Sequence, residues 1–326
     1  MHGRRPGVGV LLLSLTVLVA LLSAFWWPQT GSDIGAETAK GPRLPWGLAE
    51  KRLALRLADD VLMASQALAS ERGLALAALS AREPIGVAEV SALAERRRGA
   101  DRAVASVEAL LKQMPPSPVA QHLNRLAAAQ AMVVSQRQEF DWDASKPAVL
   151  RSIHTVARSF ETSTALIAAL QDLLGTLHAE LKAADNAIAG WLEVQRLSLE
   201  MAEYAGRERA QIGIFLAAAG RAARRQLTSA DYNRHRAVSV WQQMQSTLAG
   251  LAPQPRLTEQ TRLVQQKYFS DRERVRGLLL TAMPSQEAQP MTAPEWFQHA
   301  SLAIEAMIEF GRQAGALAAE NLSRAA

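Results

Sequence analysis

From residue 47 onward, apolar positions recur at three- and four-residue spacing over long runs, the period of an amphipathic helix. Proline and glycine separate the runs. The pattern predicts eight helices, at about 47–80, 87–114, 119–140, 148–181, 185–221, 228–253, 257–283 and 294 to the C-terminus. Pro84, Pro115-Pro116 and Pro253 mark ends, Thr228-Ser229 reads as an N-cap, and Pro294 sits near the first position of the last helix. That helix shows the pattern plainly. Ile304, Met307, Ile308, Gly311, Ala314, Gly315 and Ala318 share one face, with Glu305, Glu309 and Arg312 opposite. Eight helices in this order give an all-α fold of two packed up-down four-helix bundles.

The N-terminus has a different pattern. Arg4 and Arg5 precede an apolar run from Val8 to Trp27. At about 1.5 Å per residue such a run spans roughly 30 Å, one bilayer core. Trp26 and Trp27 stand at the far end, where interfacial aromatics belong. Leu22-Ser23-Ala24 is a poor cleavage site, so the run reads as a retained transmembrane anchor rather than a signal peptide. The basic residues stay cytoplasmic and the rest lies outside. The expected organisation is an anchor at 1–27, a Gly-, Ser- and Pro-containing spacer at 28–46, and a helical domain at 47–326.

Composition narrows the chemistry. The chain has no cysteine, which removes disulfides and cysteine metal sites, and few aromatics. Its net charge is +5, and without Arg4 and Arg5 it has 34 basic against 31 acidic residues. That balance, with no aromatic-basic interleaving, argues against a nucleic-acid partner. The histidines His2, His122, His154, His178, His235 and His299 are scattered, and no H-E-x-x-H pair occurs, so no metal site is expected. No phosphate loop, nucleophile elbow or carboxylate constellation points to an enzyme or to a cofactor. Arg96-Arg97-Arg98 and Asp59-Asp60 read as solvated helix faces. Trp191, Trp241 and Trp296 read as core.

One motif stands out because it occurs twice. Glu71-Arg72-Gly73 in the first helix and Glu208-Arg209-Ala210 in the fifth lie 137 positions apart (Arg72 to Arg209). Each places an arginine, then a small residue, where a long helix turns apolar. Burying such an arginine is costly without an anion. Two of them on facing helices make a fork for a small planar oxyanion. Neighbouring residues diverge on a helix, so Glu71 and Glu208 are poor partners for their own arginines, and Glu208 can pair across the bundle instead. Ser70 or Gln211 could add hydrogen bonds. Aligning the motifs also brings the second helix over the sixth and the fourth over the eighth, which suggests an internal duplication. The alternative is an interhelical ion-pair layer that only fixes register.

The segments SERGLALAALS and EMAEYAGRERAQIGIFLAAAG carry these motifs, and SFETSTALIAALQDLL and APEWFQHASLAIEAMIEFG follow in the expected places. In this order and spacing they resemble the nitrate- and nitrite-sensing (NIT) domain of bacterial receptors, over about residues 47–321. The resemblance implies an all-helical sensor that binds nitrate or nitrite through one arginine from each motif. Carried over by position these are Arg72 and Arg209. With the anchor read from the N-terminal pattern, the expected placement is a periplasmic domain on a single-pass anchor in the bacterial inner membrane. Its signal would pass by helix displacement to a partner protein or through a homodimer. A four-atom anion reaches at most roughly 6 kcal/mol, a dissociation constant on the order of tens of micromolar. The rival reading is a non-binding helical scaffold of the cell envelope.

Overall fold

The computed structural model describes residues 46–152, 154–217, 224–282 and 290–325, all of them helix, turn or coil. The anchor assigned to residues 1–27 lies outside the described residues. Within them no helix is long and apolar enough to cross a membrane.

The first four-helix set comprises α1 (Leu48–Ser80), α2 (Val87–Leu111), α3 (His122–Ala144) and α4 (Thr155–Ala184). The second comprises α5 (Asn186–Ala217), α6 (Arg224–Ala249), a third rod and α9. That rod runs through α7 (Pro255–Val264), a π-helical stretch Gln265–Arg272 and α8 (Glu273–Ala282). The closing helix α9 spans Ala293–Arg324. The apolar period places all eight rods. It does not reveal the π-helical stretch. Thr228 and Ser229 lie inside α6 instead of capping it, because the good helix formers Arg224-Arg225-Gln226-Leu227 extend the helix backward.

Local chemistry explains several ends. Thr292 and Glu295 form a reciprocal capping box at the start of α9, with Pro294 in the first turn. Asp185 accepts from the Ile188 amide and from Lys51, which tethers the starts of α5 and α1. At the end of α1, Arg151 donates to the carbonyls of Ala78, Leu79, Ala81 and Glu83. One guanidinium thus satisfies acceptors that a helix end otherwise leaves to water.

The two sets are joined by α1 and α4 packing on α5, and by α9 packing on α1. A single hydrophobic core runs through both. It includes Leu62 and Leu68 of α1, Leu170 of α4, Leu197 of α5, Trp241 of α6 and Phe310 of α9. On α1 this shared core ends at Ala69 and on α5 at Ala205. Beyond it each set has a small core of its own. Leu79, Leu93 and Phe140 form one, and Ile212, Phe215 and Trp296 form the other. Between the shared core and the two separate ones lies a charged layer.

Candidate functional site: a buried arginine layer

Helical geometry turns Arg72 and Arg209 inward, and both are almost fully buried, at 1% and 3% exposure. The two side chains cross between the parallel helices α1 and α5. Nη2 of Arg72 lies against Gly206 of α5, 3.6 Å from where a Cβ would stand. Arg209 reaches α1, where its Nη2 donates to the Ala69 carbonyl at 3.0 Å. A Cβ on Gly73 would come within 3.1 Å of that nitrogen and 2.4 Å of the Phe297 ring. The small residue after the first arginine therefore makes room for the second one.

The two arginines are not equivalent. Arg72 donates from Nη1 and Nη2 to the two Glu203 oxygens at 2.7 and 2.9 Å, and from Nη1 to Thr164 at 2.8 Å. Its guanidinium also stands 5.3 Å from the Phe160 ring. Burial alone would push the Glu203 carboxyl up. Arg72 and Arg207 outweigh it and hold Glu203 below the usual carboxylate range, so it stays charged. Arg209 has no such partner. It donates to Ser301 at 2.7 Å and to Ala69, and it stacks on Phe297 at 4.1 Å. Among the described residues no carboxylate pairs with it. Burial, together with the positive charges of Arg72 and Arg272, pushes its pKa down to about 9.

The glutamates of the two motifs behave alike. Glu71 receives Arg137 of α3 at 2.6 and 2.7 Å, and Arg137 also binds Asp101 of α2. Glu208 receives Arg276 of α8 at 2.9 Å, and Arg276 also binds Asp231 of α6. Each set therefore contains a Glu–Arg–Asp chain linking its first, third and second helices, which supports the internal duplication. Glu208 takes a further cation, Arg272, at 3.0 Å. Arg272 is 1% exposed. The buried layer thus holds four guanidiniums, Arg72, Arg209, Arg272 and Arg276, against three carboxylates, Glu71, Glu203 and Glu208. Each carboxylate is already paired, Glu71 with Arg137, Glu203 with Arg72 and Arg207, and Glu208 with Arg272 and Arg276. The excess positive charge suits a small anion.

The other candidates resolve as follows. Gln211 accepts from Asn233, so it is engaged within the second set. Ser70 has no hydrogen bond to either arginine. Trp191, Trp241 and Trp296 are core residues. Arg97 is a correction to the solvated-face reading of its run. It pairs with Asp141 at 2.8 Å and stacks on Phe140 because its long stem covers apolar surface. Asp59 is a second correction. It faces inward, takes a hydrogen bond from the fully buried Gln195 at 2.6 Å, and is raised by burial. No group of residues able to hold a metal occurs among the described residues. A depression of about 400 Å³ lined by Trp142, Asp143, Lys146 and Arg151 lies at the α3–α4 junction and shares no residue with the arginine layer.

Periodicity could not have found Glu203, Phe160, Thr164, Phe297 and Ser301, since polar or aromatic residues on a long helix give no sign of which neighbour they meet. The signal available was their place inside the four segments that carry the family resemblance.

Residues 64–319 match the family model described as nitrate and nitrite sensing. The fold resembles that in the structure of the NasR transcription antiterminator, with a TM-score of 0.67 and 16% identity over 85% of this chain and 70% of that one. No curated protein matches.

Proposed function

The chain belongs to the nitrate- and nitrite-sensing family, and we propose that Arg72 and Arg209 hold nitrate or nitrite between α1 and α5. One observation carries this reading. Arg209 is a buried cation with no carboxylate partner among the described residues, and burial lowers its pKa. A planar monoanion supplies the missing partner and lies in the plane of a guanidinium fork. The scaffold reading rests on the Arg72–Glu203 pair, which is a self-sufficient register lock. It leaves Arg209 without an explanation.

The apolar run at residues 8–27, preceded by Arg4 and Arg5, supports a membrane-anchored, periplasmic placement. The ligand would sit where the shared core divides into two, so binding would draw the ends of α1 and α5 together. That displacement would pass to a partner protein or to a second copy of the chain. Thermal unfolding of the full chain in detergent tests the anion site, with sodium nitrate or nitrite against chloride at equal ionic strength. At about 100 times the dissociation constant, bound ligand adds roughly 2.7 kcal/mol. For a domain of this size that is about 5 °C. Equal melting in nitrate, nitrite and chloride would favour the scaffold.

A further inference from the structure

We infer that Arg272 is a third arm of the same anion site, supplied by the π-helical stretch of the second set. This rests on the proposed nitrate or nitrite site and extends it by a residue outside the repeated motif.

Arg272 is buried as deeply as Arg72, at 1% exposure, yet its Nε and Nη1 have no hydrogen-bond partner among the described residues. Such donors are rare in a folded interior and call for an acceptor. Its Nη2 donates to the Ala205 carbonyl at 2.9 Å, one residue before the glycine that faces Arg72. Its charge lies near enough to Arg209 to help depress that side chain's pKa. Adjacent residues of α9 cover the two guanidiniums. Trp296 stands 5.5 Å from Arg272, and Phe297 stands 4.1 Å from Arg209. Arg72 and Arg272 thus meet α5 at Glu203, Ala205 and Gly206, on the stretch that carries Arg209. The free Nε groups of Arg72 and Arg209 belong to the same layer.

The duplication isolates what is special about this residue. Arg276 matches Arg137, each joining its motif glutamate to an aspartate. One helical turn earlier the first set has Val133 and the second has Arg272. Val133 is core, at 3% exposure. A residue serving only the Glu–Arg–Asp chain would need no cation there. Arg272 closes the π-helical stretch, a backbone form enriched at functional sites.

Titration calorimetry of the full chain with sodium nitrate, against equal chloride, tests this. The wild type is compared with Arg209→Met, Arg272→Met, Arg272→Lys and the double variant Arg272→Met/Glu208→Gln, which removes both members of that ion pair. We expect nitrate binding in the wild type, none in Arg209→Met, and binding roughly ten- to a hundredfold weaker in Arg272→Met and in the double variant. A double variant restored to within about twofold of wild type would show that Arg272 only neutralises Glu208, and would overturn the inference. If neither Met variant folds by circular dichroism, Arg272→Lys decides. Affinity at least about tenfold weaker, from loss of the planar fork, supports the third arm, and unchanged affinity removes it. A well-folded wild type that binds no nitrate would sink the anion site itself.

Discussion

At the scale of residues, Arg72 and Arg209 come from the same short motif but should respond oppositely to truncation. Arg72→Met strands the fully buried Glu203 with Arg207 alone, and breaking a buried pair costs about 3–5 kcal/mol. Arg209→Met removes a buried cation that no carboxylate pairs with among the described residues. Without ligand it should be neutral or stabilising, by about 1 kcal/mol or more, as an apolar replacement for a buried charge often is. Denaturant unfolding of both variants in nitrate-free chloride buffer measures the difference. Two equal losses would mean that Arg209 has a compensating partner. The pH dependence follows from the same residue. The folded pKa of Arg209 lies near 9 instead of 12.5. The penalty of burying its charge is therefore present in full below 9 and is relieved as the pH rises through it. Nitrate affinity should be nearly flat from pH 6 to 8, then fall toward about tenfold per pH unit well above 9, with proton uptake on binding. Calorimetry in buffers of different ionisation enthalpy at pH 9.5 reads that uptake directly.

At the scale of elements, the crossing of the two arginines depends on how closely α1 approaches its neighbours. Gly73 permits it, since an added Cβ would fall 2.4 Å from Phe297. Gly73→Ala should leave the fold intact at a cost of about 1–3 kcal/mol. It should also displace the ring beneath Arg209 and weaken nitrate binding by more than the stability change alone would suggest. Wild-type affinity in this variant would mean that the Phe297 stack has no part in the site. The sequence makes this element legible only in part. The apolar period of α1 and α5 and the repeated Glu-Arg identify both helices and both arginines. It says nothing of Glu203, because a glutamate six residues before Arg209 looks like any solvated helix residue. Asp59 is misleading for a related reason. It stands beside Asp60 in sequence but points to Gln195 across the core, a contact 136 positions away. Long-range polar contacts of this kind depend on packing and leave no periodic trace.

At the scale of the whole molecule, the charged layer acts as a junction. Below it the two four-helix sets share one core, and above it each has its own. A shared core should make equilibrium unfolding a single cooperative transition, seen alike by tryptophan fluorescence and far-ultraviolet circular dichroism. Ligand at the junction acts on the part that can still vary, the separation of the two ends above it. Nitrate should therefore slow amide exchange not only at residues 69–76 and 205–213, beside the arginines, but also in the separate cores around Leu93, Phe140 and Leu279. Segments deep in the shared core, such as those around Leu170 and Leu197, already exchange only through global opening and should change in step with overall stability. Hydrogen–deuterium exchange of the full chain with and without nitrate distinguishes the cases. Protection confined to the two arginine segments would describe an anion that fills a hole. Protection extending into both upper cores would describe an anion that closes a fork, which is the motion a helical sensor can hand to a partner.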